Sequence, residues 1–300
     1  MVTMGYVWDR TVETVGERLS VVLPIAIVGL FLPATIIASL QGVLTAGDAR
    51  VQLIVNLVSL AFSVLSLWAQ LAIVAAAVDP RRGLGAAARH GVARLLPAIG
   101  IVLLLMLAMA VASIPVFGLL ASGGIDAAAV QKGQIAIANL NPGMVVAAIL
   151  YGFAVLLVLL FVGARLAPLL SVVSEERRGV GAIARAFRLT RRLTWRLAGV
   201  VVLYVVIVTV ATMAVRTVFG TVLRLFDGGS GPITLTSVVT AIATSAVSAA
   251  FSVLATIFCA RLYVVLAEAT DRAVTQSAAP AVPVHDAPAR AGLAHDGPAS

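Results

Sequence analysis

Residues 177–199 read RRGVGAIARAFRLTRRLTWRLAG, a cationic stretch set between two long apolar runs. A near copy of its opening, RRGLGAAARHG, stands at 81–91, again between apolar runs. Aligned without a gap, the two agree by identity at seven of eleven positions, and Leu84 against Val180 is a conservative eighth. A second echo runs through WAQLA (68–72), GARLA (163–167) and CARLY (259–263), which lie 95 and then 96 residues apart. A period near 95 residues occurring three times marks a tandem triplication. The repeating unit is a short amphipathic segment, an outward apolar run and a return run. The units fall at about 6–80, 81–176 and 177–272. The first amphipathic segment, about 6–18, is the least similar copy, because its charges are of mixed sign.

Composition explains what the apolar runs are. Apolar residues make up 61% of the chain and charged residues 11%, with a mean hydropathy of +1.09. A soluble domain carries about 25% charged residues, so too little polar surface exists here to cover a water-facing globule. Six runs reach or pass the roughly 20 residues that span a bilayer core: 19–40, 51–78, 95–120, 144–173, 197–219 and 238–267. They are continuously apolar rather than alternating, which excludes barrel strands. Prolines 24, 33, 97, 115 and 168 fall in or at the ends of these runs, where membrane helices tolerate them. The expected fold is therefore all-α: a polytopic membrane protein with six transmembrane helices and cytoplasmic interfacial amphipathic helices.

Charge sets the direction. Arg81, Arg82, Arg89 and Arg94 lie between runs two and three, and Arg177, Arg178, Arg185, Arg188, Arg191, Arg192 and Arg196 between runs four and five. The opposite connections hold only Arg50 and Lys132, with Arg216 and Arg224 near the end of run five. Arginine bias places the rich side in the cytoplasm, with both termini. The formal charge of +8 thus reflects topology rather than nucleic acid, since no aromatic platform accompanies it. The N-terminal stretch carries five charges of both signs and reads as no signal peptide. The Ala/Pro-rich tail, 273–300, is expected to be disordered. The lone Cys259 allows no disulfide framework.

On a helix, Arg178, Arg185, Arg188 and Arg192 share one face, and Val180, Ile183, Ala184 and Phe187 another. Such a segment lies in the headgroup layer with its arginines among anionic phosphates. Arg82, Arg89, Arg178, Arg185, Arg188 and Arg192 are the candidate anionic-lipid contacts. Two readings stay open: anchoring and topology alone, or a site for a particular headgroup or an acidic partner protein.

Gln70, Arg165 and Arg261 occupy equivalent positions in the three units. An intramembrane charge costs about 2.5–3.5 kcal/mol at the bilayer centre and marks a candidate functional site. The three form either a polar layer lining an anion- or headgroup-accepting cavity, or local pairs and snorkelling side chains. Arg165 is eight residues from the end of its run, and Glu268 follows Arg261 by two turns on the same face.

Catalytic groups are sparse. His90 has no partnering histidine for a metal cluster, no phosphate-binding glycine loop of P-loop form is present, and no intramembrane serine–histidine pair exists. No enzyme, metal or other cofactor is expected. Successive units share one orientation, unlike inverted-repeat transporters.

At SEERRGVGAIARAFRLTRRLTWRLAGVVVLY (174–204) the chain resembles the membrane domain of glycerophosphoryl diester phosphodiesterases and its stand-alone bacterial relatives. The likeness rests on an acidic end to a span, then A-x-x-x-[SA]-[WF]-x-L-T-[RK], then an aromatic-Arg-Leu entry into the next span. Glu175, Ala182, Ala186, Phe187, Leu189, Thr190, Arg191, Trp195, Arg196, Leu197 and Gly199 carry it. The resemblance implies a six-helix bundle in a bacterial inner membrane. It does not imply the hydrolase activity, because the soluble barrel with its carboxylates and histidine pair has no counterpart here. The expectation is a non-enzymatic inner-membrane scaffold or lipid- or partner-interacting module, the alternative a transporter or channel for a lipid or small anion.

Overall fold

A computed structural model describes residues 4–40, 49–123, 141–166, 171, 194–224 and 235–278. Every described element is helical. The helices are α1 (Met4–Ala26), a π-helical turn (Ile27–Phe31), α2 (Leu32–Ser39), α3 (Ala49–Val78), α4 (Leu84–Ser122), α5 (Pro142–Leu166), α6 (Thr194–Arg224) and α7 (Leu235–Ala278). With α1, the π turn and α2 counted as one rod, six helices among the described residues are long and apolar enough to cross a membrane. This is the architecture of a multi-pass membrane protein. α7 runs on to Ala278, past the position where the tail was expected to begin; residues 279–300 lie outside the described residues.

The first rod, α3 and α7 pack against one another, α4 lies on α3, α6 lies on α7, and α5 joins α4 to α6. The packed centre is the second half of α3, where Ala69 and residues 71–77 are all buried. A helix covered on every side needs apolar residues on every side, and AIVAAA supplies them with little bulk. Small side chains let backbones approach closely, the usual source of membrane helix association. A Cβ on Gly29 would collide with the Ala69 side chain, and one on Gly91 would lie 3.0 Å from the Trp68 carbonyl. By contrast α4, α5 and α6 expose rows of large apolar side chains, such as Leu103, Met106, Phe153, Leu157, Leu203 and Met213. In a bilayer such rows face lipid rather than water.

Prolines flank the π turn of the first rod. Pro24 and Pro33 bracket Ile27–Phe31, and proline cannot donate to the carbonyl four residues back. For Pro33 that carbonyl belongs to Gly29, and Ser66 of α3 donates to it at 2.9 Å. A neighbouring hydroxyl thus satisfies the freed group, as a span in hydrocarbon requires. Hydroxyls elsewhere in the spans bond their own backbone: Thr35 to Phe31, Ser113 to Met109 and Thr212 to Val208.

Two amphipathic segments differ in form from the separate interfacial helices expected. Residues of the first are the opening turns of α1, and the segment holding Arg89 and Arg94 opens α4, each continuous with its span. The reason in α1 is packing: Val7 is fully buried against Leu197, Leu262 and Leu266, so the segment's apolar stripe is covered by α6 and α7. In α4, Ala87 joins the central cluster and Trp68 Nε1 donates to the Ala88 carbonyl at 3.0 Å. Between α3 and α4, residues 79–83 make a tight turn with Pro80 in second place. Asp79 accepts from the Arg81 amide and pairs with Arg82. The third such segment, with Arg178, Arg185, Arg188 and Arg192, lies outside the described residues.

Candidate functional site

Most charged side chains among the described residues, Arg50 and Arg216 at the opposite end excepted, gather at one end of the bundle, where α1 begins, α3 turns into α4, and the second half of α7 emerges. There a pocket of about 350 Å³ opens between α1 and α7, lined by Tyr6, Arg10, Glu13, Thr14, Glu17, Pro80, Arg261, Val264, Val265 and Glu268. The α1 members recur every three or four residues, so they form one stripe of the helix. On α7, Arg261, Val264, Val265 and Glu268 do the same.

The two helices are joined by a polar contact across 247 residues of sequence: Arg261 Nε donates to Thr14 Oγ1 at 2.6 Å. The same hydroxyl donates to the Arg10 carbonyl at 2.6 Å, which fixes its lone pairs toward the guanidinium. Thr14 is 1% exposed and Thr11, bonded to the Val7 carbonyl, is fully buried. Among the described residues Thr14 is the one hydrogen-bond partner of Arg261. Arg261 also lines the pocket. Across from it Arg10 pairs with Glu13 at 2.7 Å and stands over the Tyr6 ring, 5.6 Å from the centroid. The pocket therefore presents two guanidinium groups and three carboxylates in one concavity.

Each intramembrane candidate has a distinct placement. Arg261 is level with the charged opening turns of α1 rather than with the apolar middle of that rod. Glu268, expected to join a local cluster with Arg261, lines the same pocket. Gln70 is partly buried on α3, one position from the fully buried Ala69 and Leu71, and is not among the residues lining this pocket. Arg165 falls on α5, with its side chain outside the described residues. Of the arginines proposed to meet lipid, Arg89 is exposed and bonds the Gly85 carbonyl at 3.3 Å, and Arg82 pairs with Asp79 at 3.3 Å. Sequence reasoning missed Tyr6, Arg10, Glu13, Thr14 and Glu17 as site residues. The available signal was a threonine stripe (Thr11, Thr14) on the inward side of an otherwise charged helix.

A second groove of about 390 Å³ lies between α1 and α7, lined by Leu19, Leu23, Ile27, Phe31, Ala250 and Val253 among others, all apolar. Leu19 follows Glu17 by two residues, about 200° round the helix, so this groove is on the other flank of α1 and separate from the polar pocket. Among the described residues no group of three or more His, Cys, Asp or Glu is placed to hold a metal ion. No family model matches the chain, and comparisons with curated proteins and with solved structures find no significant similarity.

Proposed function

We propose that this is a non-catalytic multi-pass membrane protein that engages lipid headgroups at one charged end, facing the cytoplasm. The observation that carries the reading is that end itself. The α1 charges, the arginines at the α3–α4 turn and the Arg261 pocket lie together there, as arginine bias requires of a cytoplasmic face. Anionic lipids would meet Arg82, Arg89, Arg178, Arg185, Arg188 and Arg192, each near-surface arginine contributing about 1 kcal/mol. The order of elements supports three tandem units. α1 and α4 both open with charged turns, both continue into a span, and both are followed by a return span. The likeness of 174–204 to the membrane domain of glycerophosphoryl diester phosphodiesterases points toward the same six-helix module, here in a bacterial inner membrane.

The transporter alternative needs Gln70, Arg165 and Arg261 around one cavity, and Arg261 instead shares its pocket with the opening turns of α1. Retention of anionic lipid by the purified protein tests the main reading. Replacing Arg82, Arg89, Arg185 and Arg188 together by glutamine should release it. Unchanged retention, or turnover of glycerophosphodiesters by the pure protein, contradicts the proposal.

A further inference from the structure

We propose that Arg94 holds the phosphate of a membrane lipid at a site sunk well below the level of the charged turns of α1. This rests on the reading that the charged end lies in a headgroup layer, and adds a ligand and a depth at one further arginine. The depth follows from two sets of contacts on α3. On one side Trp68 Nε1 donates to the Ala88 carbonyl at 3.0 Å, and a Cβ on Gly91 would lie 3.0 Å from the Trp68 carbonyl and 3.2 Å from the Ala72 nitrogen. On another side Ser66 donates to the Gly29 carbonyl at 2.9 Å, and a Cβ on Gly29 would lie 3.4 Å from the Leu65 carbonyl. The stretch 65–72 is therefore flanked by Gly29 of the first rod and by Gly91 of α4. Arg94 follows Gly91 by three residues as α4 runs away from the charged end, which brings it level with Gly29 to within about a turn. Arg18 precedes Gly29 by eleven residues, about 16 Å at helical rise, and residues 19–39 carry no charge. At one level, then, the first rod is apolar and α4 is cationic.

Arg94 is also on the bundle side of its helix. The buried residues of α4 are Ala87, Gly91, Ala98 and Ile101, and position 94 fills the one gap in that series of three- and four-residue steps. Arg94 is partly buried, and among the described residues it forms no hydrogen bond or ion pair. Helix α4 contains no Asp or Glu, and Asp79, just before it, already pairs with Arg82. A guanidinium at bilayer depth is costly unless an anion or water reaches it, and a phosphate oxygen pair matches its planar fork. The surroundings select a lipid over free phosphate. Leu67 and Leu95 pack at the α3–α4 contact, and Val92 and Leu96, on either side of Arg94 in sequence, are 61% and 81% exposed. An acyl chain lies well against such side chains, whereas free phosphate would shed its water there for a single guanidinium. Arg89, exposed and bonded back to the Gly85 carbonyl at 3.3 Å, stands nearer the charged end, where a descending headgroup would meet it first.

The test has two arms, both on the full chain. In native mass spectrometry Arg94→Gln should lower retention of the most tightly held phosphatidylglycerol about tenfold, the fold-change that one charge-assisted hydrogen bond supplies, and Arg94→Lys should keep most of it. In nanodiscs of the same lipid and a Cys259→Ala background, single cysteines replace Ala93 and Val28, both at exposed positions. The cysteine at 93 should react with a water-soluble maleimide and the one at 28 should not, and adding Arg94→Leu should slow the reaction at 93. Equal reactivity at 93 and 28 overturns the depth. Retention unchanged in Arg94→Gln overturns the ligand, and leaves a water-filled recess if 93 still reacts. Displacement by free glycerol phosphate as tight as by the lipid overturns the lipid source. If the four-arginine variant of the preceding section releases lipid while Arg94→Gln does not, this inference fails alone. If wild type retains no lipid, both fail.

Discussion

Gly29→Ala tests how closely the first rod and α3 must approach. The added Cβ would strike the Ala69 Cβ and lie 3.4 Å from the Leu65 carbonyl oxygen and 3.5 Å from the Ala69 Cα. Carbon atoms rest about 3.5–4.0 Å apart, and Ala69 is fully buried in the central cluster, so α3 has to retreat. Overpacking of this kind costs about 1–3 kcal/mol. The retreat also stretches the bond from Ser66 to the Gly29 carbonyl, worth about 0.6 kcal/mol on average in a membrane helix bundle and up to 1.7. Alanine returns up to about 1 kcal/mol of helix propensity, which leaves a net loss of about 1–3 kcal/mol. The assay is reversible unfolding in mixed detergent–SDS micelles. The exchange Gly29→Ala with Ala69→Gly keeps propensity constant and moves the methyl group from one helix to the other, so it should recover most of the loss. A single variant as stable as wild type, or an exchange that recovers nothing, refutes the close-approach argument.

Ser66→Ala should cost about 0.6–1.7 kcal/mol by the same assay, and the loss should shrink in a Pro33→Ala background, where residue 33 regains an N–H for the Gly29 carbonyl. Gly91→Ala forces a Cβ to 3.0 Å from the Trp68 carbonyl and 3.2 Å from the Trp68 ring. It should destabilise by about 1–3 kcal/mol, and less in Trp68→Phe, which has already lost the bond to Ala88. Thr14→Val removes the acceptor of Arg261 in near-isosteric form and should cost about 1.5–3 kcal/mol, the range for hydrogen bonds to charged groups. An effect under half that size would mean Arg261 is held by something other than Thr14.

The spans were legible because 61% apolar residues concentrated in six runs admit one architecture. Arg261 and Glu268 were legible as neighbours because seven residues make two turns. What the sequence hides is contact between distant segments. Thr14 meets Arg261 across 247 positions, and nothing local to either residue announces the other. The opening turns of α1 were misjudged for a related reason. Amphipathicity shows that Val7, Thr11 and Thr14 share a face but not what covers it, and helices α6 and α7 cover it. The π turn was hidden too, since Pro24 and Pro33 predict a disturbed helix while Ser66, on another rod, decides how its carbonyl is satisfied.

The most direct test of the account is cysteine accessibility in sealed membranes. In a Cys259→Ala background, single cysteines at Arg18, Arg89 and Arg185 should react with an impermeant maleimide only from the cytoplasmic side, and one at Lys132 only from the other. Labelling of position 89 or 185 together with 132 from a single side would contradict the six-span bundle with one charged, headgroup-binding end.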